Sequence, residues 1–303
     1  MLRTCEKIQK LYRDGANGAK TPMTPEKLIE QHYGKQKVRL LKVLREGEVH
    51  SIRELEVAIM LEGDFESPYT GADNRLVIAT DSMKNIVYAL AKDYLVGDIE
   101  PFGDALGKFF LDRYAQVKLA DVQVVESPWN RVAVDGKLHG HTFTRADAMK
   151  TFARLRCNRG QTNVESGIQD LVILKSTGSG FEGFHRDDYT TLPETADRVL
   201  ATRLEARWIF RQTLRNYRPA NDSIVASMLR TFAREYSPSV QRTLYQMGKA
   251  ALEESLEISE IHLSMPNLHC LPVNLRPFGM DNNNEIFVPT EEPHGLIEAT
   301  VRR

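Results

Sequence analysis

The pattern that most constrains this chain is stated twice. Along residues 38–143, and again along 171–301, alternating apolar and polar residues give way to two helical stretches and then resume. Alternation puts successive side chains on opposite faces of a strand, whereas apolar residues three and four apart share one face of a helix. In the first copy Leu55, Val57, Ile59 and Leu61 share a face, with Arg53 at its edge, and a short strand is expected over 76–79. Two helices follow. The first, with Asp81 as N-cap, carries Ile86, Val87, Leu90, Ala91 and Tyr94; the second carries Leu106, Phe109, Phe110 and Tyr114. Strands are then expected over 120–125, 131–134 and 137–143, the last two joined by the hairpin turn Asp135-Gly136.

After an expected loop over 146–164 the order recurs. Strands over 171–174 and 200–210 precede a helix with Ile224, Val225, Met228, Leu229, Phe232 and Tyr236. A second helix, opened by Ser237-Pro238, turns Val240, Leu244, Met247 and Ala251 inward before the strands over 261–273 and 295–301. Strands, two helices, strands, repeated over roughly 140 residues, imply an α+β protein with helices on one side of antiparallel sheets. We therefore expect a first unit over 33–150, a second over 151–303, and a peripheral extension over 1–32 made of two short helices, the second entered at Thr24-Pro25.

Forty Lys and Arg balance 41 Asp and Glu, so no net field draws the chain to nucleic acid or to an anionic membrane. No run approaches 18 apolar residues, and three scattered cysteines, Cys5, Cys157 and Cys270, support neither a disulfide framework nor a cysteine zinc site. A reducing cytoplasm is the expected compartment, and the terminal Ala-Thr-Val-Arg-Arg lacks a Ser-Lys-Leu peroxisomal address.

Several motifs invite chemistry that their context does not support. Gly178, Gly180 and Gly183 in STGSGFEGF match GxGxxG, but HRDDYTTLPET follows where a dinucleotide site needs a helix. His139 and His141 could chelate zinc, yet a third ligand from His269, Cys270 or a carboxylate stands at no diagnostic spacing. Arg154, Arg156 and Arg159 are expected in a solvated basic loop. What remains is a set of polar groups in apolar company. Asn267 and His269 share a strand face with Ile261, Leu263, Met265, Leu271 and Val273; Arg198 keeps the parity of Leu200 and Thr202; and Thr80 sits where a strand is expected to enter a helix. Buried polar groups need partners, either within the core, with Thr80 an ordinary helix cap, or in something bound, and the pattern alone leaves that choice open.

Longer stretches bear on that choice. YGKQKVRLLKV (33–43), YTGADNRLVIATDSMKN (69–85), DGKLHGHTF (135–143), LVILKSTGSGFEGFHRDDYTTLPETADRVL (171–200), SPSVQRTLYQM (237–247), SMPNLHC (264–270) and GLIEATV (295–301) together resemble the urate oxidase (uricase) family, in order, from about residue 30 onward. The resemblance implies tandem tunnelling-fold (T-fold) units, each an antiparallel sheet with helices on one face. Pairs of subunits close barrels that stack into a homotetramer with active sites between subunits. It implies oxidation of urate by dioxygen and water to 5-hydroxyisourate and hydrogen peroxide, with no cofactor and no metal.

The same resemblance carries roles onto matching positions. Phe181 would stack on the purine, Arg198 would grip its anionic edge with a guanidinium fork, and Gln241 with the Val240 backbone would meet the opposite edge. Leu192 and Ile297 match positions near the pocket, and Asp81 belongs to the substrate set. Lys35, Thr80 and His269 match the proton-transfer residues, while Thr80 and Asn267 bound the site of oxygen and then water. Lys35 and Thr80 would come from one subunit and the rest from its neighbour. A lysine accepts a proton only when neutral, a form that desolvation favours. Cys270 stands where the family pattern leads us to expect an aromatic residue.

Overall fold

The computed structural model describes residues 26–146 and 149–303, and it divides into a unit over 1–31 and a unit over 32–303. The helix expected at Thr24-Pro25 opens outside the described residues; residues 26–32 carry no helix, and the first strand begins at Tyr33.

Eight strands form one antiparallel sheet: β1 (Tyr33–Glu46), β2 (Val49–Gly63), β3 (Val117–Ser127), β6 (Lys150–Cys157), β7 (Thr162–Lys175), β8 (Leu200–Phe210), β9 (Ile258–Pro272) and β10 (Phe287–Arg302), adjacent in that order. A two-stranded sheet of β4 (Trp129–Val134) and β5 (Lys137–Arg145) is the expected Asp135-Gly136 hairpin, with both turn residues at positive φ. After the single turn α1 (Glu66–Thr70), two helices connect β2 to β3, α2 (Thr80–Tyr94) and α3 (Ile99–Arg113); two more, α4 (Arg218–Arg234) and α5 (Val240–Glu254), connect β8 to β9. This is the α+β order expected, two strands, two helices and two strands, given twice.

Each alternating strand buries one face against the helices. Leu55, Val57, Ile59 and Leu61 of β2 and Leu200, Leu204, Ala206 and Trp208 of β8 are fully covered, by a core that α2 and α3 contribute through Met83, Val87, Phe102, Leu106 and Phe110. Acidic residues at the start of α3 join the repeats. Asp98 accepts from the Tyr217 and Arg218 backbone N–H groups at 2.6 and 3.1 Å, and buried Glu100 accepts from Ser166 Oγ and from Asn221 Nδ2, the latter at 2.8 Å. Trp208 Nε1 donates to the same Asn221 at 3.0 Å. Burial pushes the Glu100 carboxyl above its usual range, although both hydrogen bonds oppose the shift.

Three expectations need correction. Residues 76–79 form no strand: the run approaches α2 as a loop whose Ile78 backbone is tied to the Tyr33 hydroxyl, and the N-cap is Ala79, which puts Asp81 in the first turn. The stretch 146–164 contains β6, which hides Phe152, Ala153, Leu155 and Cys157. Its arginines are not a free basic loop: Arg154 clamps Asp121 on β3 through two nitrogens, and Arg156 reaches Glu62. Helix α5 starts at Val240 with Ser239 as its cap, accepting from Arg242 N at 3.2 Å, two residues later than Ser237-Pro238 implied.

Candidate active site

Strand β9 leaves the core part-way along its length. Ile261, Leu263 and Met265 have no exposure, but the next two residues of the same parity, Asn267 and His269, are half-buried, and Leu271 is exposed. Here the strand becomes the wall of a cleft of about 350 Å³, faced by Phe181, Leu192, Arg198 and Phe287. The expected inward face therefore holds as far as Met265, and the polar pair marks where side chains stop meeting core and start meeting a cavity.

The opposite wall is loop, held by backbone pairing. Gly180 N donates to Ser237 O at 2.8 Å, Ser237 N to Gly178 O at 2.9 Å, Phe181 N to Thr195 O at 2.7 Å and Arg198 N to Ser179 O at 2.7 Å. Arg198 thus belongs to this stitched loop, two residues before β8 begins. The glycines of the false dinucleotide motif have backbone explanations: Gly178 and Gly183 take positive φ, and a Cβ on Gly180 would lie 2.3 Å from the Tyr236 hydroxyl. No helix follows them.

Phe181 stacks on Phe184 with centroids 4.8 Å apart and planes 10° from parallel, and the Arg198 guanidinium lies 5.5 Å from the Phe181 ring centre. Arg198 Nε is buried without a hydrogen-bond partner, as are Ser179 Oγ and Thr202 Oγ1 in the loop and strand that flank it. Burial draws the Arg198 guanidinium below its ordinary pKa, and the nearby Tyr236 opposes this. A flat aromatic face beside an unsatisfied, desolvated guanidinium suits a planar anion, because an unpaired buried donor costs about 1–3 kcal/mol until something meets it.

The remaining expected residues lie elsewhere in the sheet. Lys35 sits at a β-bulge: it pairs with Ile59 while Val38 pairs with Val57, and Lys37 takes a φ of 55°. The bond from the Ile78 backbone to Tyr33 brings the start of α2, with Thr80 and Asp81, to this end of β1. Asp81 is held below the usual carboxylate range, first by its hydrogen bond from Lys84 and least by the charge of Lys35. Five strands separate β1 from β9 in the sheet order, and none of Lys35, Thr80 and Asp81 lines the cleft. Within one chain the expected residues therefore fall in two separate places.

The model of the family described as uricase matches residues 31–155 and 164–298. The uricase of Arthrobacter globiformis is 41% identical over 276 residues, covering 91% of this chain and 90% of that protein; the Aspergillus flavus uricase is 38% identical over 287 residues, covering 89% and 95%. The chain belongs to the uricase family. The crystal structure of the Arthrobacter globiformis uricase superposes with a TM-score of 0.87 at 41% identity, over 92% of this chain and 96% of that one. The urate oxidase of Bacillus sp. TB-90, at 24% identity and a TM-score of 0.77, shares the fold.

Within this uricase-family chain, Phe181, Arg198, Asn267, His269 and Leu192 line one cleft. Val240 and Gln241 do not line it: Val240 is buried, and Gln241 is exposed in the first turn of α5, linked to the cleft through Ser237. Ile297 packs beside Met265 on the core side. His139 and His141, with ring centres 4.5 Å apart, sit on the β4–β5 hairpin next to His50 and not with His269. Among the described residues no group of three or more His, Cys, Asp or Glu is arranged to hold a metal ion, and no helix is long and apolar enough to cross a membrane. Sequence reasoning missed Ser179 and Thr195. Their signal is weak, since a serine and a threonine in a loop read as turn residues.

Proposed function

We infer that this chain oxidises urate with dioxygen, consuming water and yielding 5-hydroxyisourate and hydrogen peroxide, as a cofactor-free enzyme of purine degradation. The observation that carries the reading is the buried, unpartnered Arg198 Nε beside the Phe181 ring, within a uricase-family chain. Urate is a flat anion. Phe181 takes its face, Arg198 its charged edge, and Gln241 with the Val240 N–H the far edge. The substrate gives up two electrons to dioxygen, which leaves as hydrogen peroxide with two protons, while water adds to the oxidised purine.

Protons move through Lys35, the Thr80 hydroxyl and His269, and Asn267 with Thr80 frames the small volume above the purine where dioxygen and then water react. Asp81 borders the substrate. This arrangement requires a neighbouring copy. Among the described residues, β1 and β10, of 14 and 16 residues, each have one edge with no partner strand, and Leu41, Val288 and Leu296 on them are exposed, a state that folded proteins seldom leave uncovered. Pairing of copies into a barrel, and of barrels into a homotetramer, would cover those edges and carry Lys35 and Thr80 of one chain to the Arg198 cleft of another. The two repeats act as T-fold units in this scheme, the extension over 1–32 has no part in the chemistry, and the near-neutral chain works in the cytoplasm.

The test is to mix metal-stripped protein with urate in air and follow loss of urate absorbance together with peroxide. The expected result is equimolar urate loss and peroxide release. No turnover by an intact tetramer, or turnover only after zinc is restored, defeats the reading.

A further inference from the structure

Thr202 carries a hydroxyl that neither the fold nor the chemistry above uses. It lies in the middle of the inward face of β8, between Leu200 and Leu204, and has no exposure. Its Oγ1 is among the buried side-chain atoms without a hydrogen-bond partner. A valine would fill the same space there and leave nothing unsatisfied. The hydroxyl therefore has a use that the apolar neighbours do not explain.

Register supplies the candidate. Thr202 is the direct cross-strand partner of Asn267, so the two side chains share a face with Cβ atoms about 4.5–5.5 Å apart, within one rotamer step of a hydrogen bond. On its other side Thr202 pairs with Ile173, and Asn267 pairs with Gly295. Neither offers a polar side chain, so in this row of the sheet Thr202 and Asn267 are each other's polar neighbour.

An asparagine amide presents either an acceptor or two donors, and a flip exchanges them. A site that receives dioxygen and releases peroxide needs the donors, because negative charge grows on oxygen as it is reduced. We propose that Thr202 is a positioning residue: its hydroxyl donates to Asn267 Oδ1 and so turns the Asn267 Nδ2 donors toward the oxygen site. This rests on the reading of Asn267 as a wall of that site.

Steady-state kinetics with urate and dioxygen varied separately, on the parent, Thr202→Val and Thr202→Ser, decide the matter. With Thr202→Val the kcat/KM for dioxygen should fall roughly tenfold, the loss of one orienting hydrogen bond. The KM for urate should stay within about twofold, and the Tm should be unchanged or higher, since an unsatisfied hydroxyl has been removed. Thr202→Ser should restore most of the dioxygen dependence. Parent-like dioxygen kinetics in Thr202→Val overturns the inference, and so does a lowered Tm with weakened urate binding, which marks a structural hydroxyl. An inactive parent is a failure of the urate reading and is seen before any variant is compared. Independently of activity, a crystal structure should place Thr202 Oγ1 within about 3.2 Å of Asn267 Oδ1; a Thr202 hydroxyl bonded elsewhere overturns the assignment.

Discussion

Replacing Arg198 with alanine should separate binding from folding. Among the described residues no carboxylate pairs with the Arg198 side chain, and its Nε is buried and unmatched, with the Phe181 ring as its visible compensation. A cation over an aromatic ring contributes about 0.5–2 kcal/mol, whereas an unsatisfied buried donor costs about 1–3 kcal/mol. The two nearly cancel, and the backbone bond from Arg198 N to Ser179 O survives in alanine. Folding stability should therefore change by less than about 1 kcal/mol. Binding should not be spared. Hydrogen bonds to charged groups contribute about 1.5–3 kcal/mol each; taking about 3 kcal/mol for a two-bond fork gives roughly 150-fold weaker urate binding at 1.4 kcal/mol per decade. Urea denaturation measures the first quantity, and equilibrium titration under nitrogen, where dioxygen cannot turn the substrate over, measures the second. A stability loss above about 2 kcal/mol with urate affinity intact would refute the reasoning, because it would show that the guanidinium holds the loop and not the ligand.

Four further substitutions probe other parts of the structure. Lys35→Met should lower kcat by roughly 100-fold or more while changing the KM for urate only a few-fold, as expected for loss of a general base; the reverse pattern in steady-state assays would make Lys35 a binding residue. Gly180→Ala places a Cβ 2.3 Å from the Tyr236 hydroxyl and about 3 Å from the Thr195 and Ala196 carbonyls, so it should cost about 1–3 kcal/mol and raise the KM for urate. Gly183→Ala, strained at a φ of 68° but with open space around it, should cost about 1 kcal/mol and leave the KM alone; equal KM values in the two variants would count against the stitched loop. Glu100 binds its proton more tightly folded than unfolded, so its contribution is full below the unfolded pKa near 4.5 and is lost as pH rises through the folded value. Glu100→Gln keeps an acceptor without the charge and should gain stability over the parent as pH rises above about 4.5; parallel stability curves for the two proteins would rule this out.

The fold was legible wherever one face of an element is buried over a sustained run, as in β2 from Leu55 to Leu61, β8 and α5, because burial is what writes periodicity into a sequence. It was illegible in β6. That strand turns small Ala153 and Cys157 inward and Arg154 and Arg156 outward, and the acid that neutralises Arg154 lies 33 residues away on β3. A strand whose outer face is paired across a sheet looks, in one dimension, like a basic loop. The run over 76–79 failed in the opposite sense: it is apolar and short, yet it hangs from one tyrosine hydroxyl instead of joining a ladder.

The same distinction governs the site. Asn267, His269 and Arg198 were visible as polar residues on an apolar parity, since the cleft continues the core surface and shares its periodicity. Thr80 stood out only because a strand was expected over 76–79, which form a loop; Lys35, at an edge-strand bulge, and Gln241, in the first turn of a helix where a polar residue is ordinary, carried no such mark. Periodicity reports which face of an element a single chain covers. In the assembly proposed above Lys35 and Gln241 are covered by a neighbouring copy and by substrate, so no pattern within this chain could set them apart, and the motif resemblance alone singled them out.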